Sequence, residues 1–338
     1  MSREEQRIRR ITEILPAAPE RATPVYAADC ELAVIDGVSL LCSLDDFSAE
    51  DLFRTDNPER LGWNIACAAL ADIFACGGIA KLYSHALVPA PDWDSHFLDS
   101  FARGVSAALQ GCGAGFLGGD MGHGKEWRYT AQVIGRPRDR MVDRRGARHG
   151  DALYLSGRIG LGNLEAALGL YGNYPVLQKA FSVYQPRFRL LHRESELVAH
   201  YASAAIDTSD GLASSVLQLA DQSQVGFTIG SIPYHNLAGM ASRFLRKPRI
   251  LLALGGCGEY ELLFSVPTER EVSLLQEARR KKLNIFRIGS IIESQASRSL
   301  GDERHTVDLT HSLPQARDFG SLPEYLQMLE RYAQGEQC

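Results

Sequence analysis

The stretch PERLGWNIACAALADIFACGG, residues 58–78, limits the folds open to this chain more than any other. It reads as one helix, started near Pro58 and stopped at Gly77 and Gly78. Ala66, Cys67, Ala68, Ala69 and Ala71 make its surface unusually small, so it can lie close against another element. Asp72 is the one carboxylate within that apolar run. A lone buried carboxylate is costly unless it is paired, hydrogen-bonded or on a metal.

Strands and helices alternate around this helix. An amphipathic helix is expected over residues 2–15, with Ile8, Ile11 and Leu15 on one side. Strands are predicted at ELAVI and VSLLCSL, joined by the hairpin signal Asp36-Gly37. A second helix is predicted from Trp93 to Leu109, followed by a short strand in AGFLGGD. The basic stretch RPRDRMVDRRGARHGD precedes a new apolar run, ALYLSG, and the domain boundary is placed there. Beyond it, FTIG, YELLFSV and IFRIGSII read as strands. Helices are expected near 162–170, 187–201, 211–222 and 268–280. At 338 residues the chain has room for two cores, and the mixture argues an α/β (α+β) class. The last forty residues are polar, and the extreme tail is expected to be loose.

Composition excludes several classes. The net charge of -5, without a basic block, argues against a nucleic-acid partner. No run approaches the roughly 18 apolar residues of a membrane span. The charged start, MSREEQRIRRITEIL, has no apolar core for secretion. Seven cysteines without a CxxC read as buried thiols in a reducing compartment, so a cytoplasmic protein is expected.

Asp29, Asp45, Asp72, Asp120 and Asp210 share one setting, and Asp207 joins them. Most end an apolar strand or sit in an apolar helix. Each alone reads as a turn or cap residue, and Asp210 before Gly211 could cap the next helix. As a set they suit a hard cation, since Mg²⁺ takes carboxylate oxygens and substrate phosphates together. The glycine pairs in FLGGD and GGCGEYELLF would let backbone amides approach phosphate, or simply make turns.

LGWNIACAALADIFACGG, FLGGDM, RRGARHGD, AIDTSDGL and GGCGEYELLFSVP occur in the order and spacing of the thiamine-monophosphate kinase family. The chain resembles that family over about residues 25–295 of its own sequence. The resemblance implies an aminoimidazole-ribonucleotide-synthetase-like fold: an N-terminal ATP/metal domain (1–143) that dimerises through its sheet, a C-terminal α/β domain (144–300) and an extension (301–338). It implies ATP and Mg²⁺ as cofactors, a small-molecule acceptor and a homodimer. Residue by residue, it implies metal positions at Asp29, Ser43, Asp45, Asp72, Asp120, Asp207 and Asp210. Gly119, Asp120, Arg144 and Ser209 stand at ATP positions, and Asp210, Asp120 and Arg144 at the centre of the chemistry.

The acceptor side departs from the family pattern. Ala28 replaces the first aspartate of its GDD motif, and Leu52 stands where the family has a substrate-binding His. Gly258 occupies the position of a substrate-contacting Glu, and Glu259 that of the neighbouring Asp. The family's C-terminal tryptophan has no counterpart, since Trp63, Trp93 and Trp127 all lie in the first half. His123 or Lys125 in DMGHGKEW could meet an anionic acceptor or simply form a solvated loop. The reading is therefore an ATP- and Mg²⁺-dependent phosphotransferase with a diverged acceptor. The alternatives are an ATP-dependent ligase or cyclase, which phosphorylates a carboxylate or amide for attack by an amine, and a non-catalytic nucleotide-binding regulator.

Overall fold

The computed structural model describes residues 3–48, 57–171, 176, 179, 183, 187–319 and 321–336. Its first half contains α1 (Arg3–Ile14), β1 (Glu31–Ile35), β2 (Val38–Ser48), α2 (Pro58–Ala75), β3 (Gly78–Val88), α3 (Ser95–Cys112), β4 (Gly115–Met121) and β5 (Arg128–Pro137). The five strands form one sheet in the order β1-β2-β5-β3-β4, with only the β3–β4 pair parallel. Asp36 and Gly37 both adopt positive φ, so the predicted hairpin closes with Ile35 opposite Val38. β2 and β5 alternate. Leu41, Ser43 and Phe47 are buried opposite Gly135, Val133 and Tyr129, while Leu44 points outward.

The second half begins at β6 (Ala152–Leu155) and continues through α4 (Leu161–Tyr171), α5 (Glu194–Tyr201), β7 (Ala204–Asp207), α6 (Gly211–Ser223), β8 (Gly226–Ile229), α7 (Asn236–Leu245) and α8 (Leu251–Leu254). It ends with β9 (Leu262–Val266), α9 (Thr268–Arg280), β10 (Phe286–Ile292), β11 (Arg298–Gly301), β12 (Thr306–Asp308) and α10 (Leu322–Ala333). Its sheet runs β12-β11-β8-β10-β6-β9-β7. Residues 138–151 connect the two sheets, and position 143 falls inside that connection.

α2 explains the small-residue sequence. It packs on β2, β3 and β5 of the first sheet and on β7, β9 and α5 of the second half. A helix enclosed on opposite sides needs apolar residues nearly all round, and α2 is buried continuously from Asn64 to Ala71. On a third side it crosses α3 at backbone contact. A Cβ on Gly62 would lie 2.0 Å from the Phe101 carbonyl oxygen, and one on Gly104 would lie 1.8 Å from that of Glu59.

The structure departs from the sequence reading in places. The helix predicted over 187–201 starts only at Glu194. Residues before it are tied to α2 instead: the Phe188 amide donates to Asn64 Oδ1 at 2.9 Å, and its carbonyl accepts from Trp63 Nε1 at 2.8 Å. β3, β5 and α7 were not anticipated from the sequence. The polar C-terminal segment is also less loose than its composition suggests. β12 extends the sheet, and Tyr325, Leu329 and Tyr332 of α10 are buried in the second core.

Gly104→Ala is expected to cost about 1–3 kcal/mol or more, because backbone rather than a flexible side chain must move. Urea unfolding checks this. Wild-type stability in the variant would show that the α2–α3 crossing is looser than described.

Candidate active site

Asp72 lies in the last turn of α2, between the two sheets. A carboxylate there gains nothing from the helix, whose C-terminal end is itself partially negative. Asp45 is brought beside it by β2, Asp207 by the end of β7, and Asp29 by the segment leading into β1. One oxygen each from Asp29, Asp72 and Asp207 lie within 4.8 Å of one another. Three separate segments, from both halves of the chain, thus converge on one point.

The backbone holds these segments in place. The Arg144 amide donates to the Ala27 carbonyl at 2.9 Å, and the Ala205 amide to that of Asp143 at 3.0 Å. Residues 143–144 are therefore laid between the Asp29 segment and β7. Arg144 Nη2 donates to Asp29 Oδ1 at 2.6 Å, and its guanidinium lies over the Tyr26 ring at 5.2 Å. The two side chains are 13% and 2% exposed, so this is a sheltered pair. The Asp207 amide donates to Asp29 Oδ2 at 3.3 Å, and Ser209 Oγ donates to Asp207 Oδ1 at 2.8 Å.

Burial pushes all four carboxyls up. Asp72 rises well above the ordinary value through burial first, then through the charges of Asp45, Asp207 and Asp29. Burial and Asp29 push Asp45 up to about 7, and the same causes push Asp207 up to about 8 against its bonds from Ser209. Asp29 is raised by burial and held back by Arg144. Four carboxyls face one guanidinium, so ionising all of them would leave an excess of negative charge. Asp207 Oδ2 and Ser43 Oγ are buried, with no hydrogen-bond partner among the described residues. An all-oxygen donor set with orphaned acceptors fits a hard divalent cation.

The remaining site candidates stand elsewhere. Asp120 is exposed on edge strand β4, opposite Ala86, with Gly119 packed against His85 of β3. Asp210 is exposed ahead of α6 and makes no cap hydrogen bond to it, so capping does not account for that residue. Leu52 lies outside the described residues. Glu259 is not in the acidic group: Oε1 accepts from the amides of Gly160 and Gly162 at 2.8 and 2.7 Å, and burial pushes the carboxyl up to about 7. It clamps the GRIGLGN loop. Gly258 is closed to any side chain, since a Cβ there would lie 1.5 Å from the Thr208 carbonyl oxygen. Gly255 is likewise packed on Asn163, so these glycines serve close approach of the chain to itself. Two neighbours of the cluster were missed in the sequence. Tyr26 is an ordinary loop aromatic there, and Tyr83, whose hydroxyl bonds Tyr129 at 3.1 Å near Asp45, lies in the unanticipated β3.

Residues 28–136 match the family described as AIR synthase related protein, N-terminal domain. The thiamine-monophosphate kinase of Aquifex aeolicus is 31% identical over 224 residues, covering 64% of this chain and 72% of that protein. The enzyme of the same name from Methanospirillum hungatei is 30% identical over 256 residues, covering 73% and 82%. The chain belongs to the thiamine-monophosphate kinase family. With that family it belongs to the ATP-dependent kinases and has the aminoimidazole-ribonucleotide-synthetase-like fold. A solved family structure, AaThiL complexed with AMPPCP and TMP, superposes with a TM-score of 0.71 at 26% identity, covering 86% of this chain and 89% of that one.

Because the folded carboxyls lie above their unfolded value of 3.8, the folded chain keeps protons that the unfolded chain releases. Without a divalent cation, stability should therefore fall as pH rises from about 4 through about 8. Thermal melts in EDTA at about pH 8 should place Asp72→Asn above wild type, and Mg²⁺ should raise wild type but not the variant. Melts that ignore both Mg²⁺ and the substitution would contradict the cation cradle.

Proposed function

We propose that this family member transfers the γ-phosphoryl group of ATP, with Mg²⁺, to a small-molecule acceptor other than thiamine monophosphate. The observation that carries the proposal is the convergence of Asp29, Asp72 and Asp207 within 4.8 Å at the junction of the two sheets. Asp29, Asp72 and Asp207, with Asp45 and Ser43 beside them, would hold Mg²⁺. When bound, that ion supplies neutralisation of phosphate charge. Arg144 is pre-oriented by Asp29 and Tyr26, and its planar fork suits phosphate oxygens. Asp120 and Asp210 are exposed, as carboxylates must be to meet a metal–nucleotide complex arriving from solvent. Gly119 and Ser209, next to them in the chain, are assigned to the nucleotide. No side chain of this chain need act as nucleophile, because in-line transfer depends on positioning and charge.

Divergence of the acceptor is supported at Gly258. The glutamate that the family places there cannot be accommodated against Thr208 without moving backbone, and Glu259 is occupied by two amides. We also assign a homodimer through the first sheet. Leu44 of β2 lies on the face of the first sheet turned away from α2 and is 69% exposed, apolar surface that a second copy of the sheet would cover.

Incubation with ATP, Mg²⁺ and thiamine monophosphate, followed by mass spectrometry, is expected to yield no thiamine diphosphate, while Mg²⁺-dependent ATP binding persists. Thiamine diphosphate at steady turnover would overturn the diverged acceptor. ADP with free phosphate, formed only when an amine is present, would assign the ligase reaction instead. Light scattering is expected to give twice the chain mass, and Leu44→Glu to give the monomer. A monomeric wild type would remove the dimer.

A further inference from the structure

A second charged site lies far along the chain from the acidic cluster, where α7 ends and the β11–β12 hairpin turns back. A cavity of about 350 Å³ opens between them. Five permanent cations line it: Arg243, Arg246, Lys247, Arg249 and Arg304. The chain as a whole carries a net charge of -5, so this concentration runs against its average.

Local structure accounts for only some of these cations. Lys247 pairs with Glu330 at 2.5 Å. Arg249 is held in place, with its guanidinium over the Tyr234 ring at 5.2 Å and its Nε 3.9 Å from Asp302. Asp302, 3% exposed, is the one carboxylate in the wall, and it is already engaged. Its Oδ1 accepts from the amides of Arg304 and His305 at 2.9 and 3.0 Å, which fixes the hairpin turn. The C-terminal end of α7 favours a cation in its last turn, which covers Arg243 or Arg246. It does not explain Arg304, which arrives from a different segment. Arg243, Arg246 and Arg304 have no ion-pair partner among the described residues. Guanidiniums from two segments thus line one open cavity around a fixed Arg249.

We infer that this cavity is a binding site for a phosphate-bearing small molecule, separate from the acidic cluster and not dependent on a divalent cation. The fork of each guanidinium matches phosphate oxygens, and a cavity of this size holds a pyrophosphate with room beyond it. The site does not rest on the proposed kinase reaction, because none of its residues belongs to the acidic cluster.

The test is calorimetry on the full chain in EDTA, at about 0.15 M salt so that diffuse attraction is screened. Pyrophosphate, inorganic phosphate and ADP are titrated separately into wild type, Arg304→Ala, Arg243→Ala/Arg304→Ala, and Arg279→Ala. Arg279 is an exposed cation on α9 outside the cavity. Saturable pyrophosphate binding is expected in wild type and in Arg279→Ala. It should weaken about tenfold in Arg304→Ala and further in the double variant, as loss of a charge-assisted contact implies. The exposed position of Arg304 makes its single variant safe for folding, which an unchanged melt would verify. ADP binding more tightly than pyrophosphate, with the same dependence on Arg304, would assign the ligand to nucleotides. Equal affinity would assign it to free phosphates. No saturable heat in wild type, or equal affinity in wild type and double variant, would overturn the inference.

Discussion

Four carboxylates, Asp29, Asp45, Asp72 and Asp207, are crowded where the two sheets meet, with Arg144 as their one described countercharge. Left alone, such a group works against folding, since each buried charge loses hydration and repels its neighbours. Much of the surrounding architecture serves to bring it together anyway. α2 is built of small residues so that it can sit between both sheets and present Asp72 there. Residues 143–144 are threaded between the Asp29 segment and β7 by backbone bonds, which delivers Arg144 to the pair. The Thr208–Gly211 turn carries Ser209 onto Asp207, and Gly258 is pressed against that turn from behind. A divalent cation would resolve the charge conflict, and phosphate transfer is the chemistry that such a cation would support.

The same packing treats the acidic positions and the positions assigned to the acceptor differently. The acidic positions are held by contacts that cross between the two halves, so changing one disturbs several segments. The acceptor positions are different. At Gly258 the chain has closed the space that a side chain would need, and at Glu259 the carboxylate has become a clamp on Gly160 and Gly162. These are structural uses in their own right. Such uses would let a cation site stand beside a changed acceptor side in one fold.

Much of this was legible in the sequence, for physical reasons that can be named. The hairpin at Asp36-Gly37 follows from turn chemistry alone. The close packing of α2 follows from its small side chains. The acidic set was readable because carboxylates in apolar runs need an explanation. β3 and β5 were missed because Lys81, His85, Gln132 and Arg136 break up their apolar runs. Their alternation, Tyr129, Ala131 and Val133 inward, becomes clear only with the partner strand in place. The late start of α5 depends on Asn64 and Trp63, more than a hundred positions away in sequence, which no local pattern reports. The polar look of the C-terminal segment hid three buried side chains spaced along one face of α10. Spacing alone also could not show that Asp120 and Asp210 stand exposed while the other four carboxylates crowd together.

These carboxylates are proposed to hold a divalent cation between the two halves. Anomalous diffraction from crystals grown with Mn²⁺ and a non-hydrolysable ATP analogue tests it most directly. A strong anomalous peak is expected among Asp29, Asp72 and Asp207, with Arg144 turned to the analogue's phosphates. A nucleotide bound elsewhere, with no metal among these three side chains, would contradict it.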